Sequence, residues 1–463
     1  MRSLARLAPV AALSLAALSL VAACTGSSSA PAHESPRFSR GGDIYKVNHV
    51  IIVMMENHSF DNYFGALAYA PGSPYYASSA GCARGDHECV DGLSCGIDAT
   101  GSLACTNSNP DDDGSRVTAF HEPTRCVIPD LAHAWPQTHL EANFSDPNGT
   151  LLASPNDGFV RVNDVMEQPD NGVESATEDQ TMGFYTQDDL PFYYELAQTF
   201  AIDDRYFSSV LGPTLPNRMY LMAATSFGHV TTLDAAPQGG FAPITGTIFD
   251  LLDSRAVSWA DYSQSGPQAF LFRQQGGLGM DPHFPTLQTF LAQAEGQPGA
   301  GELPQVSLVD PVFGGPEEND EHPPTDVERG QAFVSQIVNA VRNGPEWKDS
   351  VIFITWDEHG GFYDHVMPPP ARQGNSRTPD GIFPGQCADL SSPPESEQPG
   401  GGAGCTSISD AELLCPALMD NPTGPYPASC ASFDQLGIRV PLLVVSPFAK
   451  AHYVSHATAD HAS

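Results

Sequence analysis

Apolar residues fall along this chain in short blocks, and two of the blocks end alike. VNHVIIVMMEN (47–57) runs through β-branched residues into Glu56 and Asn57, and DSVIFITWDEHGG (349–361) runs into Asp357 and Glu358. An apolar run of this length, rich in Val and Ile, predicts a strand buried on both faces. The first strand is predicted over 44–56 and its counterpart over 350–356. QVSLVDP (305–311), ending in Asp310, and RVPLLVVSP (439–447) predict two more. Between these blocks the apolar spacing lengthens to that of a helix. LPFYYELAQTFAI (190–202), RMYLMAATSF (218–227, with Pro216 at the start) and FPTLQTFLAQA (284–294) predict helices. The clearest is TDVERGQAFVSQIVNAVRNG (325–344), with Thr325 and Glu328 as a capping box and Gly344 at its end. Strands alternating with helices give an α/β fold, a mostly parallel central sheet with helices on both faces. Ligands gather beyond the carboxyl ends of such strands. Glu56, Asn57, Asp357 and Glu358 are therefore expected around one point, far apart though they are in sequence.

The ends and insertions change the picture in other ways. Arg2 and Arg6 followed by LAPVAALSLAALSLVAA (7–23) form an export signal, too short to span a membrane comfortably. Val21-Ala22-Ala23-Cys24 resembles a bacterial lipobox, which would make Cys24 a lipidated first residue and 25–42 a polar tether. The expected product is an exported, cell-envelope protein, lipid-anchored to the membrane or secreted. A single domain over 43–463 is expected, with Cys-rich loop insertions near 71–126 and 368–432. Cys82, Cys89, Cys95, Cys105 and Cys126 cluster in the first, and Cys387, Cys405, Cys415 and Cys430 in the second. In an exported chain such clusters predict disulfide-stapled loops with open connectivity, and nine cysteines leave one without a partner. The formal net charge is −35, from 20 basic and 55 acidic residues, which excludes nucleic acid as a partner. It suits solubility and a concentration of divalent cations.

The candidate chemistry follows from donor types. Glu56, Asn57, Asp357 and Glu358 offer hard oxygens, which favour one divalent ion such as Mg²⁺, Ca²⁺ or Mn²⁺. GPTLPNRMYLMAA (212–224) places Thr214 in a tight turn before a helix, either as a turn-capping residue or as a nucleophile needing activation. His133, His139, His322, His359 and His365 recur beside carboxylates, as groups that contact phosphate or protonate a leaving alcohol do. The sequon Asn57-His58-Ser59 lies inside a buried motif and reads as a chance match.

Taken together, MMENHSFDNYFG (54–65), HAW (133–135), GPTLPNR (212–218), NDEHPP (319–324), WDEHGGFYDHV (356–366) and RVPLLVVSP (439–447) resemble a bacterial phosphoesterase family. It comprises the non-specific phospholipases C and the acid phosphatase A type enzymes, distant members of the alkaline phosphatase superfamily. The resemblance implies an alkaline-phosphatase-like three-layer sandwich. It implies one catalytic metal on Glu56, Asn57, Asp357 and Glu358, and a phospho-threonine intermediate on Thr214. His133, His322 and His365 would contact phosphate or protonate the leaving group. The substrate would be a phosphoester, phospholipid included. Phospholipase C activity leads, a broad acid phosphatase is the alternative, and a non-catalytic surface binding protein is the alternative of another class. No Cys-x-Pro-x-Arg motif points to a sulfatase. Two departures stand out. WADYSQ (259–264) offers only Asp261 where the family has further histidines, and the sequence stops at DHAS (460–463) where the family continues into a helix, so it is expected to be a fragment.

Overall fold

Seven strands build the central sheet: β1 His49–Met55, β2 Ala201–Asp203, β3 Trp259–Tyr262, β4 Val306–Val309, β5 Ser350–Trp356, β6 Leu442–Val445 and β7 Tyr453–Ser455. Their order is β3-β4-β1-β5-β6-β2-β7, and all run parallel except β6, which is antiparallel to both neighbours. The computed structural model describes residues 43–78, 80–148, 155–166, 178–234, 236, 240–272, 282–371, 382–387, 409–416 and 429–463. The signal segment, Cys24 and most of 368–432 lie outside the described residues. Residues 46–463 form one compact unit.

The helices used below are α1 Phe60–Phe64, α2 Trp135–Ala142, α3 Phe159–Met166, α4 Pro191–Thr199, α5 Thr214–Ala223, α6 Ile248–Ser254, α7 Leu287–Ala294 and α8 Val327–Asn343. The period-two alternation of the strands divides them into two layers. Ile51, Val53 and Met55 of β1 and Ile352, Ile354 and Trp356 of β5 pack with Ile337 and Val338 of α8 and Tyr193 of α4. On the other face, Trp259 of β3 and Leu308 of β4 pack with Met219 and Met222 of α5 and Phe249 of α6. Each such side chain, fully buried, contributes about 1.5–3 kcal/mol. The class is thus α/β with a mostly parallel sheet between helical layers, as the strand–helix alternation predicts.

Several boundaries differ from expectation. The first strand begins at His49, and Asp43–Lys46 is a 3-10 helix. The helix predicted to 202 stops at Thr199, because Ala201–Asp203 pairs with both β6 and β7. The cap of α8 is Asp326, whose carboxylate accepts from Glu328 N at 2.9 Å; Thr325 is drawn into the preceding turn, its N donating to His322 O. α5 begins at Thr214, two residues before Pro216. A proline within the first turn loses no helical hydrogen bond, so it does not have to mark the start.

In the Cys-rich insertion, disulfides join Cys82 to Cys89 and Cys95 to Cys105, and a further one joins Cys415 to Cys430. Cys126 is free.

Below the sheet edge lies a buried charge network. Arg439, just before β6, donates Nε to both Asp364 oxygens at 3.1 Å and Nη2 to Asp61 Oδ1 at 2.9 Å. His365 Nδ1 sits 2.7 Å from Asp61 Oδ2, and its Nε2 3.3 Å from Asp91 Oδ1. Burial alone would lower the His365 pKa, but Asp61 and Asp91 lift it to about 10. A histidine raised in the folded state stabilises fully below its unfolded pKa, about 6.5. That contribution falls as pH rises and is gone past about 10. The urea midpoint should therefore fall more steeply between pH 7 and pH 10 in the native protein than in His365→Gln. Parallel declines in the two would show that His365 is not the titrating group.

Candidate active site

β1 and β5 are hydrogen-bonded neighbours in register, His49 opposite Ser350 and Met55 opposite Trp356. The residues that follow each strand therefore emerge side by side. Asp357 N donates to Met55 O at 3.2 Å, and Asp357 Oδ1 accepts from Asn57 N at 3.3 Å and Glu358 N at 2.7 Å. Glu56, Asn57, Asp357 and Glu358 are all buried. Asn57 has φ +63°, a left-handed backbone that asparagine tolerates better than most residues. Its neighbour Gly360 is obligatory: a Cβ there would lie 2.3 Å from Asn57 O. With Asn57 fully enclosed, the Asn-His-Ser sequon is out of reach.

α5 brings the third element. Asn217 Oδ1 accepts from Ser209 N at 2.9 Å and Val210 N at 3.0 Å, while its amide donates to Gly212 O and Pro213 O, which clamps the turn entering the helix. Thr214 is the first helical residue, half-buried, and its hydroxyl bonds to none of the described residues. Arg218 lies one turn on, on the same face. Its Nε donates to Asp357 Oδ2 at 2.8 Å, and its Nη2 lies 3.2 Å from Glu56 Oε1. The amino end of α5 is thus tied to the strand ends that carry the four oxygen-bearing residues.

Two histidines face this group. His133 Nε2 lies 3.3 Å from Asn57 Nδ2 and 3.8 Å from Glu358 Oε1. His322 and His133 meet edge to face, ring centroids 5.7 Å apart, with Asp130 between them at 3.7 and 3.8 Å. Burial opposes protonation of both. Glu358 and Asp130 nevertheless raise His133, and Asp130 and Glu56 raise His322. His365 is not with them; it belongs to the Arg439 network. His139 is an interior residue of α2, bonded to Trp135 O and lowered to about 4 by burial.

The donor set fits a cation. Asn57 Oδ1 and Glu358 Oε1 are buried without a hydrogen-bond partner, although both residues approach His133 Nε2. Burial pushes Glu56 and Asp357 upward and Arg218 offsets only part of that, so a cation bound there would further favour their charged forms. Asp261 and Asp310 extend the row along the edge at β3 and β4, and burial raises both.

Other residues hold the constellation and had no local sequence signal. Glu321 is fully buried; Tyr63 Oη (2.8 Å), Tyr193 Oη (2.6 Å) and Trp356 Nε1 (2.8 Å) all donate to it. It anchors the loop that carries His322, and Asp320 O accepts from Glu56 N at 2.8 Å. Gly330 of α8 makes room for it, since a Cβ would lie 2.1 Å from Glu321 Cγ. Glu141 of α2 bonds His359 Nε2 at 2.8 Å, and His359 Nδ1 lies 3.3 Å from Glu358 Oε2. Burial works against that imidazolium, but Glu141 and Glu358 lift it to about 9. Arg218 was the one such residue within reach of sequence reading, standing four residues after Thr214 in GPTLPNR.

Residues 47–463 match the model of the Phosphoesterase family, and the chain belongs to that family. It is 29% identical to non-specific phospholipase C1 of Arabidopsis thaliana, over 88% of this chain and 62% of that one. It is 28% identical to phospholipase C A of Mycobacterium tuberculosis (strain ATCC 25618 / H37Rv), over 91% of this chain and 72% of that one. The chain spans 61% and 62% of the length of two such plant relatives, non-specific phospholipases C6 and C1. A crystal structure of a protein in the alkaline phosphatase superfamily from Vibrio parahaemolyticus aligns with 61% of this chain and 59% of that one, at 11% identity and a TM-score of 0.30, too slight to argue from.

Proposed function

We propose that this protein is a metal-dependent phosphoester hydrolase of phospholipase C type. The observation that carries the proposal is the register of β1 on β5, which sets Glu56 and Asn57 beside Asp357 and Glu358 with the start of α5 tied to them through Arg218. The names of the relatives agree with it. Asn57 and Glu358, with Glu56 and Asp357 each lending an oxygen, would hold one divalent ion. Such an ion polarises a phosphoryl oxygen and lowers the pKa of a hydroxyl bound to it. Thr214 Oγ1 gives its proton to solvent and attacks phosphorus, the P–O bond to the leaving group breaks, and the departing alkoxide takes a proton from His133 or His322. Loss of that proton to the alcohol leaves a neutral imidazole, ready to take one from the water that cleaves the phospho-threonine. Asp130 and Glu358 favour the protonated imidazoles that the first step requires. His365 is left out of this chemistry, since Asp61 and Asp91 hold its ring.

We further propose that the chain is exported and lipid-anchored through Cys24, which suits a phospholipid substrate. The test is hydrolysis of nitrophenyl phosphorylcholine and nitrophenyl phosphate, with and without chelator. The diester should be preferred, and EDTA should remove activity that added divalent metal restores. Preference for the monoester would favour an acid phosphatase. Turnover of neither would leave a binding protein on this fold.

A further inference from the structure

Arg218 has no donor left for a substrate. Its Nε is given to Asp357 Oδ2 (2.8 Å), and Nη1 to Gln268 Oε1 (2.8 Å) and Met54 O (3.4 Å). Nη2 goes to Met55 O (3.0 Å) and Met54 O (3.3 Å), with Glu56 Oε1 at 3.2 Å. A guanidinium carries five N–H groups in a rigid fork, and these contacts engage all three nitrogens. The side chain is 1% exposed and lies over the Phe313 ring at 4.9 Å. An arginine four residues from a nucleophile would ordinarily be taken for a phosphate clamp. This one faces inward.

The reason lies in the row of acids. Asp261, Asp310, Glu56 and Asp357 stand at or near the ends of β3, β4, β1 and β5, four adjacent parallel strands, and all are buried. Arg218 reaches Glu56 and Asp357 directly. Gln268 joins it to Asp310, its side chain accepting from Arg218 while its backbone N donates to Asp310 Oδ2 at 2.6 Å, and the next residue's N donates to Asp261 Oδ2 at 3.0 Å. Buried carboxylates need a counter-charge. Many phosphoester-cleaving sites supply it as two metal ions about 3.5–4 Å apart. Here one counter-charge is covalently part of the chain, and the oxygens left without a hydrogen-bond partner beside it are those of Asn57 and Glu358, with Asp261 Oδ1 at the far end of the row.

We infer that Arg218 is a positioning residue that replaces a second metal ion, so that the site takes a single divalent ion on its Asn57–Glu358 side. This rests on the metal-dependent reading above. The guanidinium also fixes the register of α5, and with it Thr214, against the strand ends.

The test counts bound Mn²⁺ on the whole chain by equilibrium dialysis. The native protein should hold one ion per chain. Arg218→Met keeps the apolar stem but takes the guanidinium away from Glu56 and Asp357, and should hold two. Arg218→Lys restores the charge and should return to one, bound about tenfold more weakly for want of the fork. Loss of a salt bridge that merely braced the fold would not raise the stoichiometry. Two ions on the native protein would overturn the inference and leave metal dependence standing. No ion on the native protein would remove metal dependence, and the inference with it. A folded Arg218→Met protein holding one ion at native affinity would also overturn it. Should that variant fail to fold, the native count and Arg218→Lys decide: one ion, weakened in the lysine variant, supports the inference, and unchanged affinity in the lysine variant refutes it.

Discussion

Thr214→Ala is expected to reduce kcat on nitrophenyl phosphorylcholine by about a thousandfold or more, with a native unfolding curve. Loss of an attacking hydroxyl removes the covalent route outright, and what survives is whatever binding and electrostatics supply by themselves. The structure gives little reason for a stability effect. Thr214 is half-buried, its hydroxyl bonds to none of the described residues, and it does not cap α5, whose cap position is Pro213. Thr214→Ser should recover a substantial part of the rate, since it keeps an oxygen at the helix start. Trapping should agree: enzyme mixed with substrate labelled at phosphorus and then quenched in acid should carry the transferred group, phosphorylcholine from the diester, on the native chain and not on Thr214→Ala. A Thr214→Ala enzyme as active as the native one would end the nucleophile assignment.

Arg439→Ala is expected to cost about 3–5 kcal/mol of folding stability, the range found when one partner of a buried ion pair is removed. The side chain is wholly enclosed, and its Nη1 also donates to Asp91 O at 2.7 Å and Asp204 O at 3.0 Å. Truncation would leave Asp364 buried without its cation and Asp61 with His365 alone, and would empty the space over the Phe60 ring, 4.2 Å from the guanidinium. Asp61 follows β1 and Asp364 follows β5, so the loss falls on the base of the candidate site. An unfolding free energy from urea titration within about 1 kcal/mol of native would mean that the network contributes far less than its burial implies.

Strands β1, β4, β5 and β6 and the convergence of Glu56, Asn57, Asp357 and Glu358 were legible because they rest on local signals, whereas the short β2, β3 and β7 were not read as strands. A Val/Ile run reads as a strand wherever it lies, and residues after parallel strands share an edge. The errors were also local. Ala201–Asp203 reads as the tail of a helix until the pairing partners β6 and β7 are known. Thr325 and Glu328 have capping-box spacing, but the turn from His322 claims Thr325 and leaves the cap to Asp326. His365 sits in the same motif as Asp357, yet the chain turns after Gly361 and delivers it to Asp61 and Asp91. Glu321, Glu141 and Asp130 act across distances that no spacing encodes. Their roles come from what α1, α4 and the ends of β1 and β5 present to them.

The adjacency of β1 to β4 and β5 also bears on how the chain matures. A polypeptide made from its amino end exposes the apolar His49–Met55 segment long before Val306–Val309 or Ser350–Trp356 exists to cover it. Until then only Glu56 and Asn57 of the constellation exist, so the hydrolysis proposed above has no assembled site before Ser350–Trp356 is made. The same delay leaves an uncovered apolar ribbon on the nascent molecule, the kind of exposed strand edge that makes half-made chains prone to aggregate.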